Sequence, residues 1–350
     1  MEIAGKSLKT VFLLGAGATR GALPHVLVDK KRIKAPLNFD FFKVAETYAR
    51  ASGVSADSKR LDRLKTIFKT ELPAKWPPPM ETAFSLLYTA KDFPEIYASR
   101  SGPKPDAGER REVEDFLSLM FDILAVLDRN KKGTTGYDRL AGVLEPGDAL
   151  ITLNYDTMLD SALLRRGWDP RSGYSLGGGS RKVKWKPVAG VGTPNARGVK
   201  LLKLHGSLNW WVKGTPGTLS NVFSMKPVVV TPPRTNSQRS KIRQIIPPIY
   251  GKVFGHPHWR RLWKAAFDAL CNAAVLVVIG CSIVDTDYHL QALLRRAAKE
   301  RKKHSDKFKK VILVDRVRIR RRWQKVLRGA AIQFTGYTSF EAFLKKGVSA

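Results

Sequence analysis

Five short runs of this chain are apolar without alternating: 10–14 (TVFLL), 149–153 (ALITL), 200–204 (KLLKL), 275–279 (VLVVI) and 311–314 (VILV). A strand with one wet face alternates apolar and polar residues, so runs like these need cover on both faces. Helical patterns separate several of them. Strands buried on both sides and joined through helices predict an α/β fold built on a doubly wound, mostly parallel sheet. In such sheets ligands bind beyond the carboxyl ends of the strands. The residues just after each run are therefore the first place to look for chemistry.

Between the first two runs lie about 130 residues, far more than the roughly 10–12 that one crossover needs. Leu61, Leu64, Ile67, Phe68 and Leu72 recur at helical spacing, as do Val113, Phe116, Leu117, Met120, Phe121, Leu124 and Leu127. KWPPPMET and SRSGPKPDAGER mark turns or exposed loops between helices. Residues 36–146 thus read as an inserted helical module. A second insertion, 168–198, is rich in glycine (SLGGGSRKVKWK) and reads as a flexible segment or lid. No repeat or low-complexity segment stands out.

Four segments follow the runs. LLGAGATRGALP at 13–24 takes a strand into glycines, which allow close backbone approach to a phosphate. Its third glycine, Gly21, comes one residue late for G-x-G-x-x-G, and a tight turn explains the segment equally well alone. LNYDTMLD at 153–160 puts Asn154 and Asp156 on a strand-to-helix turn, where either could also cap the helix. KLHGSLNWW at 203–211 sets His205 at a strand end beside Gly206, and imidazole acts as a base near neutral pH. VVIGCSIVDTDYHLQALL at 277–294 repeats the design with Gly280, Ser282, Asp285 and Asp287.

Composition narrows the surroundings. Two cysteines, Cys271 and Cys281, cannot make a disulfide framework or a four-thiolate zinc site, so no metal is expected. The longest apolar stretch, 273–281, is too short to span a bilayer, and no cleavable signal pattern opens the chain. A cytoplasmic protein is the simplest fit. Lys and Arg number 62 against 30 acids, a net charge of +32. Residues 299–325 form a strongly basic C-terminal segment with 13 Lys/Arg against three acids. Such charge attracts polyanions such as nucleic acid, although a solvated basic face kept for solubility would look the same.

In order, GAGAT, TLNYD, KLHGS and GCSIVDTD resemble the sirtuin superfamily, and more closely its bacterial sirtuin-like NAD⁺-hydrolase (NADase) family associated with antiphage defence. PLNFDFF, HGSLNWW and TPPRTNSQRSKI add to the likeness, which covers most of 10–315. The resemblance implies a Rossmann-like NAD-binding domain with a helical insertion. It implies that Gly15, Ala16, Gly17 and Thr19 line the pyrophosphate and adjacent ribose, and that Gly280 and Ser282 close on phosphate and ribose. Asp315 would face adenosine. Asn154 would position water or substrate beside the nicotinamide ribose, Asp156 would hold that pocket, and His205 would be the catalytic histidine. NAD enters as substrate.

Protein-deacylating sirtuins resemble GIPDFR after the glycine loop, where this chain reads GALPHV, and they carry a four-cysteine zinc module. Both departures favour plain NAD⁺ cleavage. Nicotinamide leaves as a neutral group, so the reaction needs ribose orientation, a positioned water and a base, which an amide, a carboxylate and an imidazole can supply. The alternative reading is a nucleic-acid-binding or scaffold subunit of a defence complex that keeps the nucleotide pocket. Related systems imply partners such as an Argonaute-like protein or a helicase-type ATPase, and a homo-oligomer. With 35 residues after Asp315, a sensor would act in trans, or the trigger would bind the catalytic module directly. Hydrolysis and cyclisation both remain open, as does the trigger.

Overall fold

The computed structural model describes residues 9–72, 76–92, 108–176, 196, 198–213, 229–230, 241–247, 257–284, 287–303, 308, 310–316, 319–327 and 332–346. β1 (Thr10–Leu14) leads through α1 (Ala16–Ala22) to a hairpin of β2 (Val26–Val28) and β3 (Lys31–Ile33). Helices α2 (Phe41–Ser52), α3 (Ser55–Glu71), α4 (Met80–Asp92), α5 (Gly108–Asn130) and α6 (Gly136–Gly142) precede β4 (Ala149–Thr152). Next come α7 (Met158–Leu164), α8 (Pro170–Gly173), β5 (Lys200–Lys203), β6 (Gly206–Lys213), β7 (Val229–Val230) and β8 (Lys241–Ile245). Then follow α9 (Pro257–Asn272), β9 (Val275–Ile279), α10 (Tyr288–Lys303), β10 (Lys310–Val314), α11 (Arg320–Val326), β11 (Gln333–Tyr337) and α12 (Phe340–Lys346).

The main sheet has six strands in the order β11-β10-β9-β1-β4-β5, every pair parallel. Numbered along the chain and read from the β5 edge, that order is 3-2-1-4-5-6, the doubly wound arrangement. The chain winds outward through β4 and β5, then crosses to β9 on the other side of β1. The order therefore reverses between β1 and β9, and in doubly wound sheets the carboxyl ends of the strands at such a switch point are where ligands bind. The five apolar runs are five of these strands, and the expected doubly wound α/β class is the one observed. The sixth, β11, carries half-exposed residues on a sheet edge, so it has no unbroken apolar run to betray it. Two smaller antiparallel sheets, β2-β3 and β7-β6-β8, were not anticipated from the sequence.

The helices between β1 and β4 pack through aromatic rings. Phe41 stacks on Phe116 at 4.6 Å between ring centroids, and Phe42 and Phe84 meet Phe116 edge-on. The residues at helical spacing are the buried ones: Leu61, Leu64 and Phe68 on α3, and Val113 through Leu127 on one face of α5. Each such side chain contributes roughly 1.5–3 kcal/mol by leaving water. Across this interface Arg60 and Arg63 reach Asp115, at 3.7 and 2.7 Å. α6 starts at a capping box, in which Thr135 and Asp138 satisfy each other's backbone N–H groups. Most of the 168–198 insertion (177–195 and 197) lies outside the described residues.

The basic segment 299–325 is woven into the fold in its described parts. Arg301 is buried, donates to the carbonyls of Leu270 and Cys271, and stacks over the Phe308 ring at 4.3 Å. β10 is a central strand, and Trp323 of α11 is fully buried, donating to the Cys281 carbonyl at 3.1 Å. Cys281 itself is a small buried side chain, as expected, and burial pushes its thiol well above the usual range. No helix among the described residues is long and apolar enough to cross a membrane.

Candidate functional site

Strand register assembles the site. Leu14 pairs with Thr152 and Ile279, and Ile279 pairs with Val314. Gly15, Leu153, Gly280 and Asp315 therefore form a row one residue beyond the sheet. Gly15 N–H donates to Ile279 O at 3.1 Å, Gly280 N–H to Val314 O at 2.8 Å, and Leu153 N–H to Leu14 O at 3.1 Å. One strand over, Thr152 pairs with Lys203. Asn154 and His205 thus both stand two residues past a registered pair, on strands roughly 4.8 Å apart.

The glycines serve the approach of two loops to each other. Gly280 has φ +54°, and a Cβ there would lie 2.2 Å from Ala18 N. A Cβ on Gly15 would come 2.6 Å from Gly280 O, and one on Gly17 2.7 Å from Gly280 Cα. Gly17 N–H donates to Gly280 O at 3.0 Å and Ala18 N–H to Gly15 O at 2.9 Å. Ala16 stays exposed at the mouth. Gly280→Ala therefore combines positive-φ strain with backbone overlap and should cost about 2–4 kcal/mol. Urea unfolding checks this, and a loss under about 0.5 kcal/mol would show that the loops part easily.

The turn after β4 is held from three sides. Asn154 Nδ2 donates to Gly15 O at 2.8 Å and to Thr19 Oγ1 at 2.9 Å. The carbonyl acceptor fixes which way the amide faces, and both its hydrogens are used. Thr19 Oγ1 has one proton, which goes to the carboxylate Asp156 Oδ2 at 2.7 Å. The Tyr137 hydroxyl, 2.9 Å away, then donates to Thr19. Asp156 Oδ1 accepts from Met158 N–H at 3.1 Å. Asp156 thus also satisfies the first amide of α7 from one residue before the N-cap, Thr157. Tyr155 is a strut: its hydroxyl donates to Ile246 O at 2.6 Å, and its carbonyl accepts from Leu208 N–H at 2.9 Å.

His205 lies between β5 and β6, 6% exposed, and its carbonyl accepts from Ile246 N–H at 2.8 Å. Gly206, at φ +85°, turns the chain there. Thr19 and Asp156 are buried behind Asn154, at 2% and 4% exposure. Ser282 is exposed, Asp315 is half-buried, and Asp315 N–H donates to Tyr337 O at 3.0 Å. Asp287 accepts from Leu290 N–H at 3.4 Å near the start of α10, while Asp285 lies outside the described residues.

Sequence reasoning missed the layer beneath. Lys203 and Asp160 form an ion pair at 3.0 Å with both side chains at 1% exposure or less. Lys203 also donates to the Asp156 carbonyl, and the Tyr174 hydroxyl donates to Asp160 Oδ1. A lysine inside a strand that is otherwise apolar, KLLKL, and an acid one helical turn after Asp156 were the available signals. Tyr137, 118 residues from Thr19, left none.

Burial pushes the Asp156 carboxyl above the usual carboxylate range, partly offset by the Lys203 charge and the Thr19 hydroxyl. Burial, then the Asp156 charge, pushes the Tyr137 phenol well above its ordinary value. A raised carboxyl contributes stability that is present below its unfolded pKa, near 3.8, and lost as pH rises through the folded value. Asp156→Asn lacks this loss. Its stability relative to wild type should therefore climb as pH rises above 3.8 and then level off. Denaturation curves over that window check this, and a flat or falling difference would reject it.

No match was found among curated proteins. Among solved structures, a mutant Sir2 homologue in complex with 2′-O-acetyl ADP ribose is 11% identical, with 98% of this chain and 92% of that chain covered and a TM-score of 0.43. A mutant Sir2 homologue in complex with ADP ribose is 14% identical, with 98% and 94% covered and a TM-score of 0.37. The family model described as SIR2-like domain matches residues 148–334. That span runs from β4 into β11 and includes Asn154, Asp156, His205, Gly280, Ser282 and Asp315, while Gly15, Ala16, Gly17 and Thr19 precede it. It takes in more than half of the 350 residues, and the chain belongs to the SIR2-like domain family.

Proposed function

We propose that this protein is an NAD⁺ glycohydrolase that cleaves the nicotinamide–ribose bond to give nicotinamide and ADP-ribose, and that it serves antiphage defence by depleting NAD⁺. The observation that carries the reading is the state of Asn154. Both of its amide hydrogens are held by the fold, at Gly15 O and Thr19 Oγ1, which fixes the amide two residues past β4, just as His205 stands two residues past the neighbouring β5. Membership in the SIR2-like family supports NAD⁺ as the substrate.

The fit to a dinucleotide rests on the same edge. Gly15, Gly17 and Gly280 bring the backbones of two loops together beyond β1 and β9, where side chains would collide. Ala16 and Ser282 are exposed beside them, and the half-buried Asp315 follows β10. In this reading the Ala16 N–H and the Ser282 hydroxyl face phosphate and ribose, and Asp315 faces the adenosine. Asn154 Oδ1 accepts from the water or a ribose hydroxyl and orients it. His205 takes a proton from that group. Thr19, Asp156 and Tyr137 are buried and joined to Asn154 through the Thr19 hydroxyl; they keep Asn154 in one rotamer, which limits the entropy lost when the reacting groups align.

Incubation of purified protein with NAD⁺, with nicotinamide, ADP-ribose and cyclic ADP-ribose resolved by liquid chromatography, tests the proposal. Equal amounts of nicotinamide and ADP-ribose are expected. A protein that binds NAD⁺ yet leaves it intact, with and without added DNA or RNA, would overturn the hydrolase reading.

A further inference from the structure

A cavity lies at the end of the sheet opposite the candidate site. It has a volume of about 600 Å³ and opens between α9 and the amino ends of β1, β4 and β5. Its charged lining is Lys9, Lys200, Arg260, Arg261 and Lys264 against a single acid, Asp268. Lys264 is paired with Asp268 at 2.6 Å. Among the described residues, no acid pairs with Lys9, Lys200, Arg260 or Arg261. Four cations with no counter-charge thus share one trough, in a chain of net charge +32.

The trough follows from the periodicity of α9. Trp259, Leu262, Ala266 and Leu270 are buried on one face. Arg260, Arg261, Lys264, Ala265, Asp268, Ala269 and Asn272 recur at the complementary spacing and line the cavity. Lys9 and Lys200 enter from the strand starts, since β1 begins at Thr10 and β5 at Lys200.

We propose that this groove binds the phosphate backbone of a nucleic-acid strand. Its cations come from three elements and lie along an open trough, whereas a single small anion is held by donors that converge on one point. No aromatic ring lines the groove among the described residues, so recognition runs through phosphates and not base stacking. Binding is therefore insensitive to base sequence. The groove is separate from the site beyond the carboxyl ends: β1 alone, five residues long, sets them roughly 16 Å apart. The inference does not depend on the hydrolase reading.

Fluorescence anisotropy of labelled single-stranded and duplex oligonucleotides of two unrelated sequences, over a salt series, tests it. The groove variant combines Lys9→Gln, Lys200→Gln, Arg260→Gln and Arg261→Gln. The control removes the same charge from exposed positions elsewhere, Lys31→Gln, Arg32→Gln, Lys34→Gln and Lys43→Gln. Thermal melts establish that both fold. The groove variant should weaken binding by about 10- to 100-fold near 0.1 M salt and reduce the log–log salt slope by about 3, as expected when four phosphate contacts are lost from a single strand. The control should do neither. Photo-crosslinking of the wild type to a modified oligonucleotide should label peptides from α9 and the starts of β1 and β5. Equal losses in both variants, or crosslinks confined to other elements, would overturn the proposal. So would displacement of the oligonucleotide by polyglutamate at matched charge concentration, which would make an acidic polypeptide the occupant.

Discussion

His205→Ala should lower nicotinamide release from NAD⁺ by about 10²–10⁴-fold if His205 is the general base proposed above, the range that a positioned base contributes. The expectation follows from the register of β4 and β5, which sets His205 beside Asn154 past the paired residues Thr152 and Lys203. On the proposed reading the imidazole acts in the chemical step, so NAD⁺ affinity should change little: kcat should fall and KM stay near its wild-type value. Asn154→Asp is the sharper companion. It nearly preserves shape, but a carboxylate cannot donate to the Gly15 carbonyl, so the turn loses the bond that orients it. Its kcat should drop about as far as that of Asn154→Ala. Turnover by His205→Ala within about threefold of wild type would remove the histidine from the mechanism.

Lys203→Met destabilises the fold by about 3–5 kcal/mol, because it strands a buried Asp160 carboxylate without its cation. The loss also frees the Asp156 carbonyl that Lys203 holds, so the turn carrying Asn154 loosens with it. Lys203→Met/Asp160→Asn should recover much of the stability: the amide carbonyl still accepts from Tyr174, and no charge is left buried. Urea unfolding of the two single variants and the double variant closes the cycle. If Asp160→Asn alone cost nothing and the double variant were no better than Lys203→Met, the pair would be contributing packing and not charge compensation.

The candidate site was legible in the sequence to differing depths. That Asn154, His205, Gly280 and Asp315 stand just beyond strand ends could be read because each follows an apolar run, and the strand ends of a parallel sheet share one edge. The glycines could be found too, although the physical reason differs from the one the sequence suggested. Their hydrogens face backbone of the opposite loop, where Gly280 meets Ala18 and Gly17. β11 was missed because an edge strand with Gly336 and half-exposed neighbours shows neither alternation nor an apolar run. The lysine inside KLLKL was a visible signal, but its partner was hidden because Asp160 lies 43 residues away and nothing in the order of residues says which acid meets it.

Amino-acid order alone determined the sheet and its winding direction. Unalternating apolar runs can be buried on both faces only between helices, and the crossovers that join parallel strands then send every following loop to the same edge. Which side chains touch at that edge was decided only by the tertiary structure. Thr19 finds Asn154 and Asp156 across 135 and 137 residues of chain. A single hydroxyl shared between an amide, a phenol and a carboxylate depends on loop positions in space, and it leaves no periodic trace in the sequence.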